Sequence, residues 1–175
     1  MRKLTYLVAS TIDGKIAKED GAWDCFMQFG DEHAPDYLAA LQTFDAVVMG
    51  LKTYEVGLKE GLTDPYPHLA TYVFSSTLKE SPNKKVTVVA GDPAEFVAKL
   101  KSQPGGDIYL CGGGKLAGAL MAAGLIDQVD IKLYPLIMGP GIPLFEGAVP
   151  VKLMNLKSSK VYGNGVVLLT YEVRN

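Results

Sequence analysis

The chain is poor in the residues that build metal centres and disulfide frameworks. Its 175 residues include only two cysteines, Cys25 and Cys111, which lie far apart, and two histidines, His33 and His68. These four residues have no zinc-ligand spacing, and two distant cysteines imply no disulfide framework. The sequence therefore predicts neither a metal site nor a crosslinked fold.

An excess of positive charge and long apolar runs are also missing. The 17 Lys and Arg residues face 19 Asp and Glu residues, and the formal net charge is −2. This balance argues against a nucleic-acid surface or a basic membrane patch. No apolar run approaches the ~20 residues that span a bilayer. Residues 1–17 begin with basic side chains, as a signal sequence does, but Asp13 interrupts a short apolar stretch, so we expect a strand and a cytoplasmic protein.

What the sequence does contain is enough apolar material for a sizeable core. Hydrophobic residues make up 48% of the chain and charged residues 21%, which is the balance of an ordinary soluble globule. We find no internal repeat, low-complexity segment or linker. Residues 1–175 are therefore predicted to form a single domain.

Strand-like and helix-like segments alternate over the first part of the chain, and strands alone finish it. The predicted strands are Lys3–Ser10, Asp45–Met49, Leu69–Phe74, Val86–Ala90, Ile108–Cys111, Val129–Ile137, Val151–Tyr162 and Val166–Val173. The predicted helices are Asp31–Thr43 with Asp31 as N-cap, one opening at Thr53, one capped by Asp92, and Lys115–Ala123. Asn164-Gly165 predicts a hairpin between the last two strands. This order predicts a three-layer α/β/α fold, with a mostly parallel twisted sheet and antiparallel C-terminal strands.

Three consecutive glycines separate a predicted strand from a helix in residues 108–127, IYLCGGGKLAGALMAAGLID. The first N–H groups of a helix are unsatisfied and lie at the positive end of its dipole. Bare backbone at Gly112, Gly113 and Gly114 would let a phosphate reach these donors. The alternative is a tight turn that packs strand and helix closely together.

The residues after the glycines narrow the type of phosphate site. A P-loop requires Ser or Thr after its lysine, whereas Leu116 follows Lys115, so an NTPase is not predicted. The segment satisfies the loose dinucleotide pattern G-x-G-x-x-A, which is weak evidence by itself.

A second strand ends in glycine before a helix at residues 47–55, VVMGLKTYE. Thr53 can cap this helix and donate a hydroxyl to a phosphate, and Lys52 adds positive charge; the alternative is an ordinary capped helix with a solvated lysine. Two such junctions can face each other at the carboxyl ends of parallel strands. Together they would hold a pyrophosphate from both sides, which suits a dinucleotide.

Four segments, in order along the chain, resemble a known family: STIDGKIA (10–17), MGLKTYE (49–55), CGGG (111–114) and LIMGPGIPLF (136–145). The set resembles the dihydrofolate reductase-like fold. Within that fold, it is most similar to the C-terminal reductase domain of the bacterial riboflavin-biosynthesis deaminase-reductase, as a stand-alone protein.

The resemblance implies an NADPH-dependent reductase and assigns roles by matching position. Ala9 and Ile16 would line the nicotinamide. The residues near the adenosine ribose and its 2′-phosphate would be Ser75, Ser76 and Thr77. The residues around the bridging phosphates would be Gly50, Lys52, Thr53, Gly112, Gly113, Gly114, Lys115 and Leu116. Leu51 stands where the family often has arginine, which leaves the preference for NADPH over NADH open.

On the substrate side, the resemblance makes Asp13 the catalytic candidate and Lys15 a substrate-binding residue; a plain Asp-Gly turn is the alternative. Trp23 would cover a flat ring or pack on its own loop. In dihydrofolate reductases an acid lies five residues beyond the tryptophan, but Gln28 occupies that position, which argues against dihydrofolate as substrate. We expect His33 to be solvated and Cys111 to fill an apolar position.

The predicted function is hydride transfer from NADPH to a small unsaturated molecule, either pteridine-like or a pyrimidine ribosylamine. The resemblance also implies a homodimer, with the segment 136–145 packing the late strands. Two alternatives stay open. One is a nucleotide-binding module without turnover, and the other is an interaction protein that binds no nucleotide.

Overall fold

A computed structural model describes residues 1–174, and an eight-stranded sheet runs through them in the order β5-β4-β3-β6-β1-β7-β10-β9. Its strands are β1 Leu4–Thr11, β3 Phe44–Gly50, β4 Ala70–Phe74, β5 Val86–Val89, β6 Asp107–Gly112, β7 Gln128–Tyr134, β9 Met154–Val161 and β10 Val167–Val173. Two short strands, β2 (Lys15–Ala17) and β8 (Ile142–Pro143), pair separately.

The sheet has the predicted mixture of strand directions. The six strands β5, β4, β3, β6, β1 and β7 all run parallel to one another. Strand β10 is antiparallel to both β7 and β9. The turn between β9 and β10 is closed by the Tyr162 N–H, which donates to the Val166 carbonyl at 2.9 Å. The predicted hairpin is therefore confirmed.

Helices cover both faces of the sheet, which confirms the three-layer α/β/α fold. They are α1 Ala34–Leu41, α2 Leu51–Lys59, α3 Pro93–Ser102 and α4 Gly114–Ala122, with a short 3-10 helix at Asp24–Phe29. On one face, Leu41 of α1 and Tyr54 of α2 are buried with Val47. On the other, Val97 of α3 and Leu120 of α4 share a core cluster.

The helix starts agree with the sequence in one case and differ in two. The Asp92 side chain accepts a hydrogen bond from the Ala94 N–H, as the predicted cap of α3 should. Helix α2, however, begins at Leu51 with Gly50 in the N-cap position, so the predicted cap at Thr53 is wrong. Helix α1 begins only at Ala34, and His33 rather than Asp31 occupies its N-cap position. In both cases the helix does not begin after the polar residue that was predicted to cap it.

The segment 142–146 packs against the start of α4. The Leu144 N–H donates to the Gly14 carbonyl at 2.9 Å, and the Glu146 N–H donates to the Gly114 carbonyl at 3.0 Å. A Cβ at Gly114 would overlap the Pro143 carbonyl oxygen. The segment 136–145 also packs with the late strands, as expected. Leu136 packs against the cluster of Tyr134 and Val166, and Leu144 and Phe145 pack against the cluster that contains Val129 and Val173.

The segment 142–146 also lies against Gly118 of α4, so Gly118→Ala should reverse the usual effect of alanine in a helix. Alanine normally stabilises a helix interior by about 1 kcal/mol relative to glycine. Here the new methyl would overlap the Glu146 carbonyl oxygen. We expect urea denaturation to show a free energy of unfolding lower by about 1–3 kcal/mol, as overpacking costs. A more stable variant would show that the segment moves away freely.

Candidate active site

The two glycine junctions open into one crevice at the carboxyl edge of the parallel strands. Strands β3 and β6 are neighbours, and Met49 pairs with Gly112. The chain then leaves β3 through α2 on one face of the sheet and leaves β6 through α4 on the other. In open α/β sheets, ligands bind where neighbouring strands send their helices to opposite faces.

The atoms around Gly113 show how closely the two junctions approach. A Cβ at Gly50 would lie 4.0 Å from the Gly112 carbonyl oxygen and from the Gly113 nitrogen. A Cβ at Gly113 would lie 3.5 Å from Thr53 Oγ1 and 3.9 Å from Ile16 Cδ1. The Gly112–Gly113 peptide bond is cis. The crevice therefore has Thr53 on one wall and Ile16 on another.

Both helix N-termini offer hydrogen-bond donors to this crevice. Gly50 and Gly113 occupy the N-cap positions of α2 and α4, and neither helix has a side-chain cap. Their first N–H groups carry the positive ends of two helix dipoles. Lys52 and Lys115, in the first turns, are both exposed. Such an arrangement favours an anion with two phosphate groups.

Two of the residues predicted to bind phosphate, Gly114 and Leu116, pack in the protein interior and do not face the crevice. Gly114 is buried, and the space beside its Cα is filled by Pro143. The Leu116 side chain is buried in the core cluster under α4. The expectation that all three glycines clear a path for ligand is therefore wrong for Gly114. Both residues can contribute only backbone groups.

A polar turn follows β4 on the same sheet edge. Phe74 pairs with Gly50, so Ser75 lies one strand away from the first junction. Ser75 Oγ accepts hydrogen bonds from the N–H groups of Thr77 at 3.1 Å and Leu78 at 2.9 Å. Ser76 and Thr77 are exposed. The strand order β4-β3-β6-β1 thus sets Ser75, Gly50, Gly112 and Ala9 in one row.

Asp13 ties two loops together. Its Oδ1 accepts from Thr11 Oγ1 at 2.5 Å and from the Met138 N–H at 3.0 Å, and its Oδ2 accepts from the Gly139 N–H at 2.8 Å. These hydrogen bonds lower the pKa of Asp13 to about 2, and the bond from Thr11 has the largest effect. Asp13 is therefore a fixed anion at neutral pH and has no proton to give. The neighbouring Lys15 lies on β2, half-buried.

Trp23 and the region around it are more open. Trp23 precedes the 3-10 helix and is 39% exposed, so its ring is only partly packed on the loop. A surface depression of about 400 Å³ is lined by Lys18, Asp20, Met138 and Pro140, among others. Within residues 1–174, no three His, Cys, Asp or Glu side chains converge to hold a metal ion. No helix in that range is long and apolar enough to cross a membrane.

A polar cluster beneath α1 is the feature that the sequence did not reveal. Tyr66 Oη lies 3.4 Å from Cys111 Sγ and 3.3 Å from Tyr37 Oη. Lys132 Nζ lies 4.3 Å from the centroid of the Tyr37 ring. Burial raises the pKa of Tyr66 and of the Cys111 thiol, and it lowers the pKa of Lys132 to about 8. We call these four residues the Lys132 cluster.

His33 adjoins this region, so the expectation of a solvated histidine is wrong. Its Nε2 lies 3.0 Å from Tyr134 Oη, and its Nδ1 is buried with no partner in residues 1–174. Burial, followed by the Lys132 charge, lowers the pKa of His33. Cys111 is likewise more than an apolar filler, because it contacts a phenol. The alternation of Asp130, Lys132 and Tyr134 along β7 was the one available signal.

The family is shown by comparison with known proteins. A family model described as the RibD C-terminal domain matches residues 2–168. The chain belongs to the RibD C-terminal domain family.

Individual RibD C-terminal domain relatives match over nearly the whole chain. The uncharacterized protein YwjB of Bacillus subtilis (strain 168) is 34% identical over 95% of this chain and 96% of its own. A candidate riboflavin biosynthesis protein of known structure, from Shewanella sp. PV-4, is 26% identical and covers both chains completely, with a TM-score of 0.87.

A more distant solved structure shares the fold alone. Dihydrofolate reductase from Enterococcus faecalis, complexed with NADP(H) and RAB-propyl, is 17% identical. It superimposes with a TM-score of 0.71 over 99% of this chain and 97% of its own. The RibD C-terminal domain described above is therefore dihydrofolate reductase-like in architecture, as the resemblance implied.

Asp13→Asn should destabilise the protein at neutral pH, because an amide replaces one of the two accepting oxygens. The folded pKa of about 2 lies below the ordinary value of 3.8. The stabilisation by the carboxylate is therefore complete above pH 4 and lost as the pH falls through 2. We expect the difference in melting temperature between wild type and variant to narrow between pH 4 and pH 2. A difference that does not change with pH would contradict this account.

Proposed function

We propose that this RibD C-terminal domain protein is an NADPH-dependent reductase of a small unsaturated substrate, of the pteridine or pyrimidine ribosylamine class. One observation carries the proposal. The groups suited to adenosine, to two phosphates and to nicotinamide follow one another along a single sheet edge, in the order of β4, β3 with β6, and β1. Three strand spacings make this row about 14 Å long.

The residues present fit an extended dinucleotide. Ser75, Ser76 and Thr77 would receive the adenosine ribose and its 2′-phosphate. The N-termini of α2 and α4, with Lys52, Thr53 and Lys115, would hold the bridging phosphates. Ala9 and Ile16 would line the nicotinamide. When bound, NADPH would supply the hydride, while the protein supplies orientation and electrostatics.

Selection of NADPH over NADH would depend on lysine rather than arginine. Leu51, at the position where the family often has arginine, is half-buried and uncharged. Lys52, in the first turn of α2, and Lys79, in the loop after β4, are both exposed. An ammonium group binds phosphate as a point charge, without the two-pronged geometry of a guanidinium. We therefore propose that Lys79 recognises the 2′-phosphate, while Lys52 contacts the bridging phosphates.

On the substrate side, Asp13 and Lys15 would act from the loop between β1 and β2. Asp13 would act as a fixed negative charge, since its hydrogen bonds keep it ionised. Lys15 would bind an anionic or hydroxyl group of the substrate, and the partly exposed Trp23 would cover a flat ring.

We also propose a cytoplasmic homodimer. The edge strand β9 is unpaired on one side and carries Leu156 and Val161, which are 55% and 73% exposed. We propose that a second copy covers this edge, and sedimentation of the purified protein tests this by measuring its oligomeric state.

A nucleotide-binding module without turnover is the second candidate. The observation that favours it is the state of Asp13, the only carboxylate for which we predicted a catalytic role, which has no proton to donate. Such a module would bind NADPH through the same crevice and would not oxidise it.

The two candidates separate in one pair of measurements. NADPH at 100 times its dissociation constant should stabilise the fold by about 2.7 kcal/mol, which thermal denaturation detects. Oxidation is then followed at 340 nm with 5-amino-6-(5-phosphoribosylamino)uracil and with a dihydropterin. Binding with oxidation supports the reductase, and binding with no oxidation of any substrate supports the module. Absence of binding would contradict both.

Lys52→Glu should weaken NADPH binding about tenfold, or ~1.4 kcal/mol. A carboxylate at this position repels the phosphates but suits the helix dipole, so the fold should not suffer. Lys59→Glu, in the last turn of α2, is the matched control and should bind NADPH as the wild type does. Equal weakening by both variants would mean that only the net charge matters. Isothermal titration at low and high salt provides the measurement.

Gly113→Ala should weaken NADPH binding by roughly tenfold or more, since a methyl would stand between the phosphates and the backbone donors. In the protein alone the methyl meets only ordinary contacts. Gly106→Ala, at the opposite edge of the sheet, also meets only ordinary contacts and is the control. Unchanged NADPH affinity in Gly113→Ala would exclude the glycine turn as a phosphate site.

A further inference from the structure

Hydride transfer to a C=N or C=O group leaves a negative charge that needs a proton, and this chain must provide a group that donates it. Asp13 is held ionised by three hydrogen bonds. Gln28 stands where dihydrofolate reductases have their acid. Burial raises the pKa of Asp130, but both of its oxygens accept from Gln128 Nε2 at 3.0–3.1 Å, and it pairs with Leu7, two residues before Ala9 on β1. Of the side chains on this face of β7, it is Lys132 that pairs with Ala9 itself.

Lys132 occupies the position that such a group needs. It pairs in register with Ala9, the predicted nicotinamide contact on β1. Neighbouring strands lie about 4.8 Å apart, so the two backbones are in direct contact. The Lys132 side chain extends beneath α1, to 4.3 Å from the Tyr37 ring centroid. It thus stands beside the end of the crevice where the reduced atom would lie.

The Lys132 ammonium has no protein partner to neutralise it. Within residues 1–174, no carboxylate oxygen lies within 4.0 Å of Nζ, and Nζ donates no hydrogen bond. The side chain is nevertheless not sealed in the core, since Lys132 is only half-buried. A buried ammonium without a partner costs folding free energy, and a bound ligand would offset that cost.

The groups that face Lys132 are neutral at physiological pH. Tyr37 lies in α1, and His33 lies at the N-cap of that helix. Tyr66 lies in the segment before β4, and Cys111 lies on β6. Burial raises the pKa of both phenols and of the thiol, and lowers that of His33. On the other side, β10 presents Leu168, which has no titratable group. Only Lys132 changes charge in this cluster near neutral pH.

We propose that Lys132 is a catalytic residue that donates the proton to the reduced substrate, with Tyr37, Tyr66 and Cys111 grouped on the same side of the sheet. The inference rests on the proposed function. A hydride adds to the carbon of the C=N or C=O bond, the π electrons pass to nitrogen or oxygen, and that atom takes a proton from Nζ. NADPH is oxidised and the substrate is reduced. The neutral amine then regains a proton from water.

The chemistry of the cluster fits this role. Burial lowers the pKa of Lys132 to about 8, close to the working pH, where a general acid is most effective. The ammonium stabilises the developing negative charge before it gives up its proton. The two phenols and the thiol hydrogen-bond one another beside the ammonium, and the cluster contains no carboxylate that would hold its proton.

The test compares Lys132→Met and Lys132→Arg with a matched control, Lys160→Met. Lys160 also lies over a tyrosine ring, 5.2 Å from the centroid of Tyr162, but it is exposed and paired with Asp36. The substrate is 5-amino-6-(5-phosphoribosylamino)uracil, or the dihydropterin if only that is reduced. The measurements are the NADPH dissociation constant, kcat between pH 6 and pH 10, and the melting temperature.

We expect wild-type kcat to fall as the pH rises through about 8, because the ammonium then loses its proton. Lys132→Met should lower kcat at least 100-fold and lose this pH dependence, with NADPH affinity unchanged. Lys132→Arg should remain slow, since a guanidinium keeps its charge but does not release a proton. Lys160→Met should behave as the wild type.

A readout that needs no turnover comes from stability. Because the folded pKa lies below the ordinary value of 10.5, wild-type stability should rise between pH 8 and pH 10 relative to Lys132→Met. Acetic anhydride should also acetylate Lys132 with a midpoint near pH 8, which mass spectrometry resolves from exposed lysines.

The outcomes distinguish this inference from the proposed function. Wild-type kinetics in Lys132→Met, rescue by Lys132→Arg, or acetylation of Lys132 with the midpoint of an exposed lysine would each overturn the role of Lys132 while the reductase stands. A wild-type protein that binds NADPH and reduces nothing would overturn the proposed function, and the proton donor with it.

Discussion

The insertion of β6 between β3 and β1 is the constraint on which the site depends. It makes Gly50 and Gly112 neighbours although many residues separate them in the chain. Each helix N-terminus alone contributes only about 0.3–1 kcal/mol to an anion at an exposed site. Two N-termini with uncapped donors, brought to one crevice from opposite faces of the sheet, can act on the same pair of phosphates. Without this pairing, the two junctions would be two ordinary turns.

The glycine turn lies close to other groups on two sides, which explains why three glycines stand together. Gly113 faces the crevice, where Thr53 and Ile16 leave room beside it. Gly114, together with Gly118 one helical turn later, faces the other way and admits the backbone of residues 143–146. Under the proposed function, ligand approach and chain packing would thus require bare backbone on opposite sides of the same turn. A side chain at either position acts on a different part of the molecule.

Local patterns predicted the local structure, and they failed where distant pairing decides the outcome. The strands, the hairpin and the Asp92 cap follow from alternation and turn chemistry within a few residues. Thr53 had the chemistry of a cap, but the helix begins earlier because the chain turns at Gly50. The strands β2 and β8 are too short to show a period, and they exist only because each pairs with the other. Gly113 and Gly114 are alike in sequence, and only the position of Pro143 separates their roles.

The Lys132 cluster escaped detection for the same reason. Its members come from α1, the loop after α2, β6 and β7, and no spacing in the sequence connects them. Once the sheet is assembled, an ammonium that has no carboxylate partner within residues 1–174 lies under a helix. Natural sequences keep such a locally unfavourable residue when function requires it, since a well-packed apolar side chain would stabilise the fold more. The absence of a carboxylate partner is then informative, because an ion pair would raise the pKa of Lys132 and make it a poorer acid. The same isolation that costs stability is what suits the lysine to give up a proton near neutral pH.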